Sequence, residues 1–326
     1  MIRVLLLIVG FIIYGSLYPW QYRPAPRGIS PIEVLLHSWP AHLGFSDIGD
    51  ISVNLVLYVP VGMFGFLALN RFRGCWLRWI LPTLIALLLS ALIETAQVYD
   101  QTRVCSLVDV LCNTLGGASG TVLGYIFRQS MSEALFLVFH WLGAQFFMLV
   151  GMVAGRRAAL HLVASPLEIV TLITAWLLVL YLLGARKEPE QRGRVAAWLA
   201  AGFLTLLVVR GLSPLHFQSS PAPFNWVPFI GVLNAEWIVG LPIFLEKAFY
   251  YGTAIWLLQR AGMPLVYSTA TVASMLALIE AVQRYLPNHT AEITDPFLAM
   301  SLGLILWLLG EDQQRIRRFG ILQVST

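Results

Sequence analysis

The stretch WLRWILPTLIALLLSALIETAQV, residues 76–98, decides the fold. A helix crosses the hydrocarbon core of a bilayer with about 20 apolar residues, and this run supplies them. Its only charges are Arg78 near the start and Glu94 near the end. The rest of the chain is built alike: of 326 residues, 58% are hydrophobic and 12% charged, with mean hydropathy +0.75. Soluble domains carry about 25% charged residues. This composition cannot furnish a water-facing surface, so the chain reads as an integral membrane protein.

Further apolar stretches run over 2–18, 51–70, 108–127, 135–154, 166–184, 195–212, 237–258, 264–286 and 293–309. The expected fold is therefore an all-α polytopic transmembrane bundle of about ten helices. Residues 1–20 lack a small-residue cleavage site, so the first stretch is expected to stay as a helix. Lys and Arg fall 13 to 7 on alternate sides of these segments, with Lys247 inside one of them. Positive loops stay inside, which places both termini in the cytoplasm of a multi-pass inner (plasma) membrane protein. The long connections 19–50 and 213–236 then lie outside. Within the first, Ser30-Pro31-Ile32-Glu33 has the cap, early Pro and acidic third position of a helix start. That helix is too short to span.

The basic residues sit in short loops, so no nucleic-acid partner is expected. The histidines and the cysteines Cys75, Cys105 and Cys112 show no metal-ligand spacing, and no cofactor motif is present. The cysteines read as small buried apolar residues. Gly116, Gly120 and Gly124 recur every four residues, the pattern of a close-packed membrane helix face.

One constellation carries chemistry: Asp50 and Asn54, then Tyr58, Pro60 and Gly62; Glu94 and Gln97; Arg103; and Asp109, Asn113, Gly116 and Gly117. Glu94 and Gln97 are three apart and share a helix face near the outer end. Asp109 and Asn113 open the next helix from that side, and Asp50 and Asn54 open an earlier one. Three helix ends thus bring carboxylates, carboxamides and a guanidinium to one depth. Ionisable groups within membrane helices are costly, and they pair or line polar cavities. One reading is structural, with Arg103 bridging Glu94 and Asp109 to lock a hairpin. The other is a polar pocket for a headgroup or sugar.

In order and spacing these residues resemble the VanZ-like family, named for a teicoplanin-resistance protein. That family shows an Asn followed by Pro-x-Gly, a Glu-x-x-Gln helix end, an Arg, and an Asp-x-x-x-Asn-x-x-Gly helix. The likeness covers about residues 50–127. It implies a role at the membrane and cell envelope rather than a particular reaction.

Residues 91–117 align without a gap on 277–303, with eight of 27 positions identical; composition alone gives roughly two or three. The matches include Glu280 for Glu94, Gln283 for Gln97 and Asp295 for Asp109, while His289 stands at Arg103 and Ala299 at Asn113. Upstream, residues 15–19 echo 211–214, and Asp50/Asn54 corresponds to Glu246/Tyr250. The expected organisation is a VanZ-like four-helix unit over 1–130, two connecting helices over 131–190, and a degenerate second unit over 191–326. The copies lie an even number of helices apart, which implies a parallel repeat. Without a second Arg103, the carboxylates of the second copy need Arg284 or protonated His289 as partner. The more complete ligand site is expected in the first copy.

The function that fits is an outward-facing polar site engaging an envelope component. Candidates are a lipid-linked sugar, a peptidoglycan precursor, a polysaccharide or a glycopeptide antibiotic, with membrane lipids as the surrounding partners. Two alternatives stay open. In a membrane enzyme, Glu94 or Asp109 would act as base and Arg103 would hold a phosphate or carboxylate. A transporter would use the two repeats, with Pro60, Pro242 and a Glu246–Lys247 pair at mid-membrane.

Overall fold

The computed structural model describes residues 1–24, 28–40, 48–69, 76–128, 133–153, 189–287 and 289–324. These form helices with isolated β-bridges and no strand. The chain divides into two compact units, Met1–Met131 and Ser132–Thr326.

The first unit holds α1 (Ile2–Leu17), α2 (Pro31–Leu36), α3 (Ile48–Ala68), α4 (Leu77–Gln97) and α5 (Leu107–Phe127). The second holds α6 (Glu133–Val153), α7 (Pro189–Leu212), α8 (Ile230–Asn234), α9 (Trp237–Arg260), α10 (Leu265–Gln283) and α11 (Thr294–Val324). Every apolar stretch read from the sequence is a helix except 166–184, which lies outside the described residues. Among the described residues, α3, α4, α5, α7 and α10 are long and apolar enough to cross a membrane. The chain is a polytopic helical membrane protein.

In the first unit α5 packs between α3 and α4. The glycines make this contact close. A Cβ on Gly116 would meet the Leu55 carbonyl, one on Gly120 the Val59 carbonyl, and one on Gly62 the Gly117 carbonyl. Small residues that admit backbone-to-backbone approach are how membrane helices associate, because lipid removes the hydrophobic drive between them. Tyr58, Phe64 and Phe66 fill the remaining interior of α3.

The short α2 forms as its sequence implies. The Ser30 hydroxyl accepts from the Glu33 N–H at 3.2 Å and the Glu33 carboxylate accepts from the Ser30 N–H at 2.9 Å. Leu35 packs with Val98, Cys105 and Val110 over the ends of α4 and α5. The Ser38 hydroxyl then accepts from the Leu107 N–H at 2.8 Å, satisfying one of the orphan donors that open α5.

The second unit is arranged around α9, whose residues Phe249, Tyr250, Ile255 and Leu257 are buried. It contacts α6, α7, α10 and α11. Here α6, set apart in the sequence as a connecting helix, packs along α9, with Leu137 against Gly252. Pro60 and Pro242 sit inside α3 and α9, and both helices continue through them.

Candidate functional sites at the ends of the helices

The expected constellation of the first unit divides by depth. Glu94, Gln97 and Asn113 are buried, with 4%, 8% and 4% of their surface exposed. Asn54, Arg103 and Asp109 are half-buried, and Asp50 is exposed.

The buried members are committed to the scaffold. Glu94 accepts from the Ser106 backbone N–H at 2.8 Å, fixing the approach to α5. Gln97 donates to the Ser16 carbonyl at 3.0 Å. Asn113 donates to the Ser90 hydroxyl at 2.8 Å across the α4–α5 contact. Arg103 donates to the Tyr18 carbonyl at 3.3 Å and, at the long limit, the Gly15 carbonyl at 3.5 Å. The Glu94–Arg103–Asp109 bridge is therefore replaced by a different clamp. The physical reason lies in α1. Tyr18 precedes Pro19, which disfavours continued helix, so α1 ends at Leu17 with its last carbonyls unpaired. Gln97 and Arg103 supply those carbonyls with donors.

The accessible members form a rim. Asn54 is hydrogen-bonded to Asp109, and Asp50 lies within electrostatic reach of the same carboxylate. Ser106 caps α5 by accepting from the Asp109 N–H at 3.3 Å.

Asp100 was not singled out from the sequence, since nothing in its spacing marks it. It is fully buried in the α4–α5 connection, accepting from the Thr102 N–H at 2.7 Å and the Thr102 hydroxyl at 2.8 Å. Burial works to raise its pKa, but the Thr102 bonds, the Arg103 N–H and the Arg103 charge outweigh it and hold the carboxyl below its ordinary value. A depressed folded pKa adds stability that is present above the unfolded pKa and lost as pH falls through the folded one. Asp100→Asn is accordingly expected to lower stability by about 1 kcal/mol at neutral pH. That deficit should shrink below the usual carboxylate range, as thermal unfolding across pH would show. Nearby, burial pushes the Cys105 thiol up. Cys105 and Cys112 are buried and free, while Cys75 lies outside the described residues.

The second unit repeats three of these bonds. Glu280 accepts from the Glu292 N–H at 2.8 Å, and Gln283 donates to the Gly211 carbonyl at 2.9 Å. His289 sits 2.7 Å from the Ser213 carbonyl. Ser213 again precedes a proline, and α7 ends just before it. Arg23 bonds to the Tyr99 and Val98 carbonyls as Gln218 bonds to those of Tyr285 and Arg284.

Three expectations are corrected there. The carboxylate Asp295 is partnered by Lys247 at 2.7 Å and by the Tyr251 hydroxyl at 2.6 Å. Arg284 instead donates to the Ala222 carbonyl at 3.0 Å, and His289 faces Ser213. Glu246 and Lys247 do not pair with each other: adjacent positions on a helix point apart, and Glu246 pairs with Arg210 at 3.1 Å. The positions that hold Asp295, Lys247 and Tyr251, are those of Asp50 and Asn54 around Asp109, one residue beyond the register read from sequence.

A cavity of about 240 Å³ opens beside this network, bordered by Arg210, Lys247, Glu280, Gln283, His289 and Asp295. Arg210 was missed as a site residue because it lies outside the aligned motif, and Lys247 was read only as the partner of Glu246. The polarity of Lys247 inside an apolar helix was the available signal.

No curated protein and no solved structure matches the chain. Residues 1–128 match the model of the VanZ/LLP1 family, a segment that holds α1 to α5 and the whole of the first polar constellation. The first unit is thus similar to the VanZ/LLP1 family over nearly its whole length, within a helical membrane protein.

Proposed function

We propose that this VanZ-like membrane protein engages a cell-envelope component through the rim formed by Asp50, Asn54, Asp109 and Arg103. The observation that carries the reading is the division by depth. Glu94, Gln97 and Asn113 are spent on the scaffold, whereas the rim keeps polar groups accessible at the mouth of three helix ends. The 13-to-7 distribution of Lys and Arg supports an outward-facing mouth. Lipid-linked sugars, peptidoglycan precursors and glycopeptides present their hydroxyls and amides on that side. The second unit is then a diverged copy whose clamp retains three of the bonds.

The enzyme reading draws less support, since the Glu94 oxygen that would act as base already caps Ser106. The unbroken α3 and α9 give little to a transporter built on interrupted helices.

The test pairs topology with binding. Reporter fusions should place the 99–107 connection outside and the C-terminus in the cytoplasm. Purified protein in nanodiscs should bind a fluorescent glycopeptide or a lipid-linked peptidoglycan precursor. Asp109→Asn and Asn54→Ala should weaken that binding roughly tenfold, the loss of one charge-assisted hydrogen bond, at unchanged abundance. A cytoplasmic 99–107 connection, or undiminished binding in both variants, would sink the proposal.

A further inference from the structure

We infer that the second unit holds a site for a phosphate or carboxylate group in the cavity between α7, α9, α10 and the start of α11. This goes beyond the rim of the first unit and stands whether or not that rim binds anything.

Both donors and acceptors border the cavity. Each of its carboxylates already holds a donor. Asp295 takes Lys247 on Oδ1 and Tyr251 on Oδ2, Glu280 takes the Glu292 N–H on Oε2, and Glu246 beneath takes Arg210 on both oxygens, at 3.1 and 3.5 Å. Its donors are not all spent. An ammonium carries three N–H groups and a guanidinium five. Lys247 spends one bond on Asp295, and Arg210 spends one edge of its fork on Glu246. Thr290 adds a hydroxyl at the border. A ligand that brings acceptor oxygens can take up these leftover N–H groups.

The ion pairs hold these cations ready. Arg210 is fixed from one side by Glu246, and its guanidinium lies 5.5 Å from the centre of the Tyr250 ring. Lys247 is fixed by Asp295, and both cations keep 26% of their side-chain surface exposed. Preorganised cations cost little to position when an anion arrives, and a guanidinium suits phosphate and carboxylate geometry. The volume lies just under the roughly 300 Å³ at which drug-sized pockets begin, so it suits a headgroup rather than an extended chain.

Comparison of the units strengthens the assignment. The clamp recurs in both, so it needs no ligand to explain it. Arg210 and Lys247 do not recur. In the hydrogen-bond pattern Arg210 stands where the first unit has Gly15, and Lys247 where it has Asp50. Where the first unit places Arg103 on the α1 carbonyls, the second has His289. The second unit therefore places two cations at its cavity where the first unit has none at the matching positions.

The test uses the full-length protein in detergent, followed by thermal unfolding. Inorganic phosphate at constant ionic strength should raise the midpoint by about 5 °C at 100-fold excess over its Kd, relative to chloride. Nanodiscs of phosphatidylglycerol against phosphatidylcholine form the second arm: a shift there without one from free phosphate assigns a lipid headgroup, and a shift in both assigns the phosphate group itself. Arg210→Gln combined with Glu246→Gln removes the fork without stranding a charge, and should weaken binding roughly tenfold. Arg260→Gln combined with Glu133→Gln removes an ion pair that does not border the cavity, 3.3 Å long, and should leave binding unchanged. Should the first double variant not fold, Arg210→Lys keeps the Glu246 pair but loses the fork, and the same weakening is expected. No shift in either arm overturns the site, as does wild-type binding in the Arg210 variants.

Discussion

Gly120→Ala is expected to collapse the first unit, while Gly10→Ala leaves it intact. A Cβ at Gly120 would run into the Val59 carbonyl and crowd the Met63 amide at 2.9 Å. Neither neighbour is a flexible side-chain tip, so α3 and α5 must move apart to accept one methyl. Overpacking of this kind costs about 1–3 kcal/mol, and separation along the α3–α5 seam adds the contacts of Gly116, Gly62 and Gly124 to the loss. Gly10 has nothing within 4 Å of its would-be Cβ, so there the change only raises helix propensity, by up to about 1 kcal/mol. Abundance of fluorescent fusions after size-exclusion, with thermal midpoints, reads both. Equal behaviour of the two variants would mean that the α3–α5 contact is not what holds the unit.

The helices were legible because bilayer thickness forces a length and a composition on any segment that crosses it. The run 76–98 became α4 at Leu77–Gln97, and 108–127 became α5 at Leu107–Phe127. The glycine face was legible for the same reason: every-four spacing leaves few uses in lipid other than close approach. The Ser30 helix start was legible because its capping box is a local pattern.

What escaped was partner choice. Sequence spacing puts Glu94, Gln97 and Arg103 at one depth, and opposite charges at one depth invite a salt bridge. It does not show that the broken end of α1 arrives there with carbonyls in need of donors, because that end lies some 80 residues upstream and is set by Pro19. The same blindness hid the true partner of Lys247. Its partner Asp295 is 48 residues away, and a register error of one residue was enough to rest the comparison on Glu246 instead.

Glu94 gives the sharpest separation of scaffold from chemistry. Its Oε2 holds the Ser106 N–H at 2.8 Å from a position only 4% exposed. Glu94→Ala leaves that donor without a partner and opens a void, at a cost of about 3 kcal/mol. Glu94→Gln keeps a carbonyl oxygen of nearly the same reach, so its cost should stay within about 1 kcal/mol. Glu280 repeats the arrangement on Glu292 at 2.8 Å, and the same order, Ala far worse than Gln, is expected there. Thermal midpoints of the four variants check this. The binding assay then adds what stability alone does not report. If Glu94 serves as scaffold, Glu94→Gln binds the envelope ligand as the native protein does. A Glu94→Gln protein that is stable yet inert would return Glu94 to the chemistry and favour a membrane enzyme, because an amide accepts a hydrogen bond as a carboxylate does but cannot take up a proton near neutral pH.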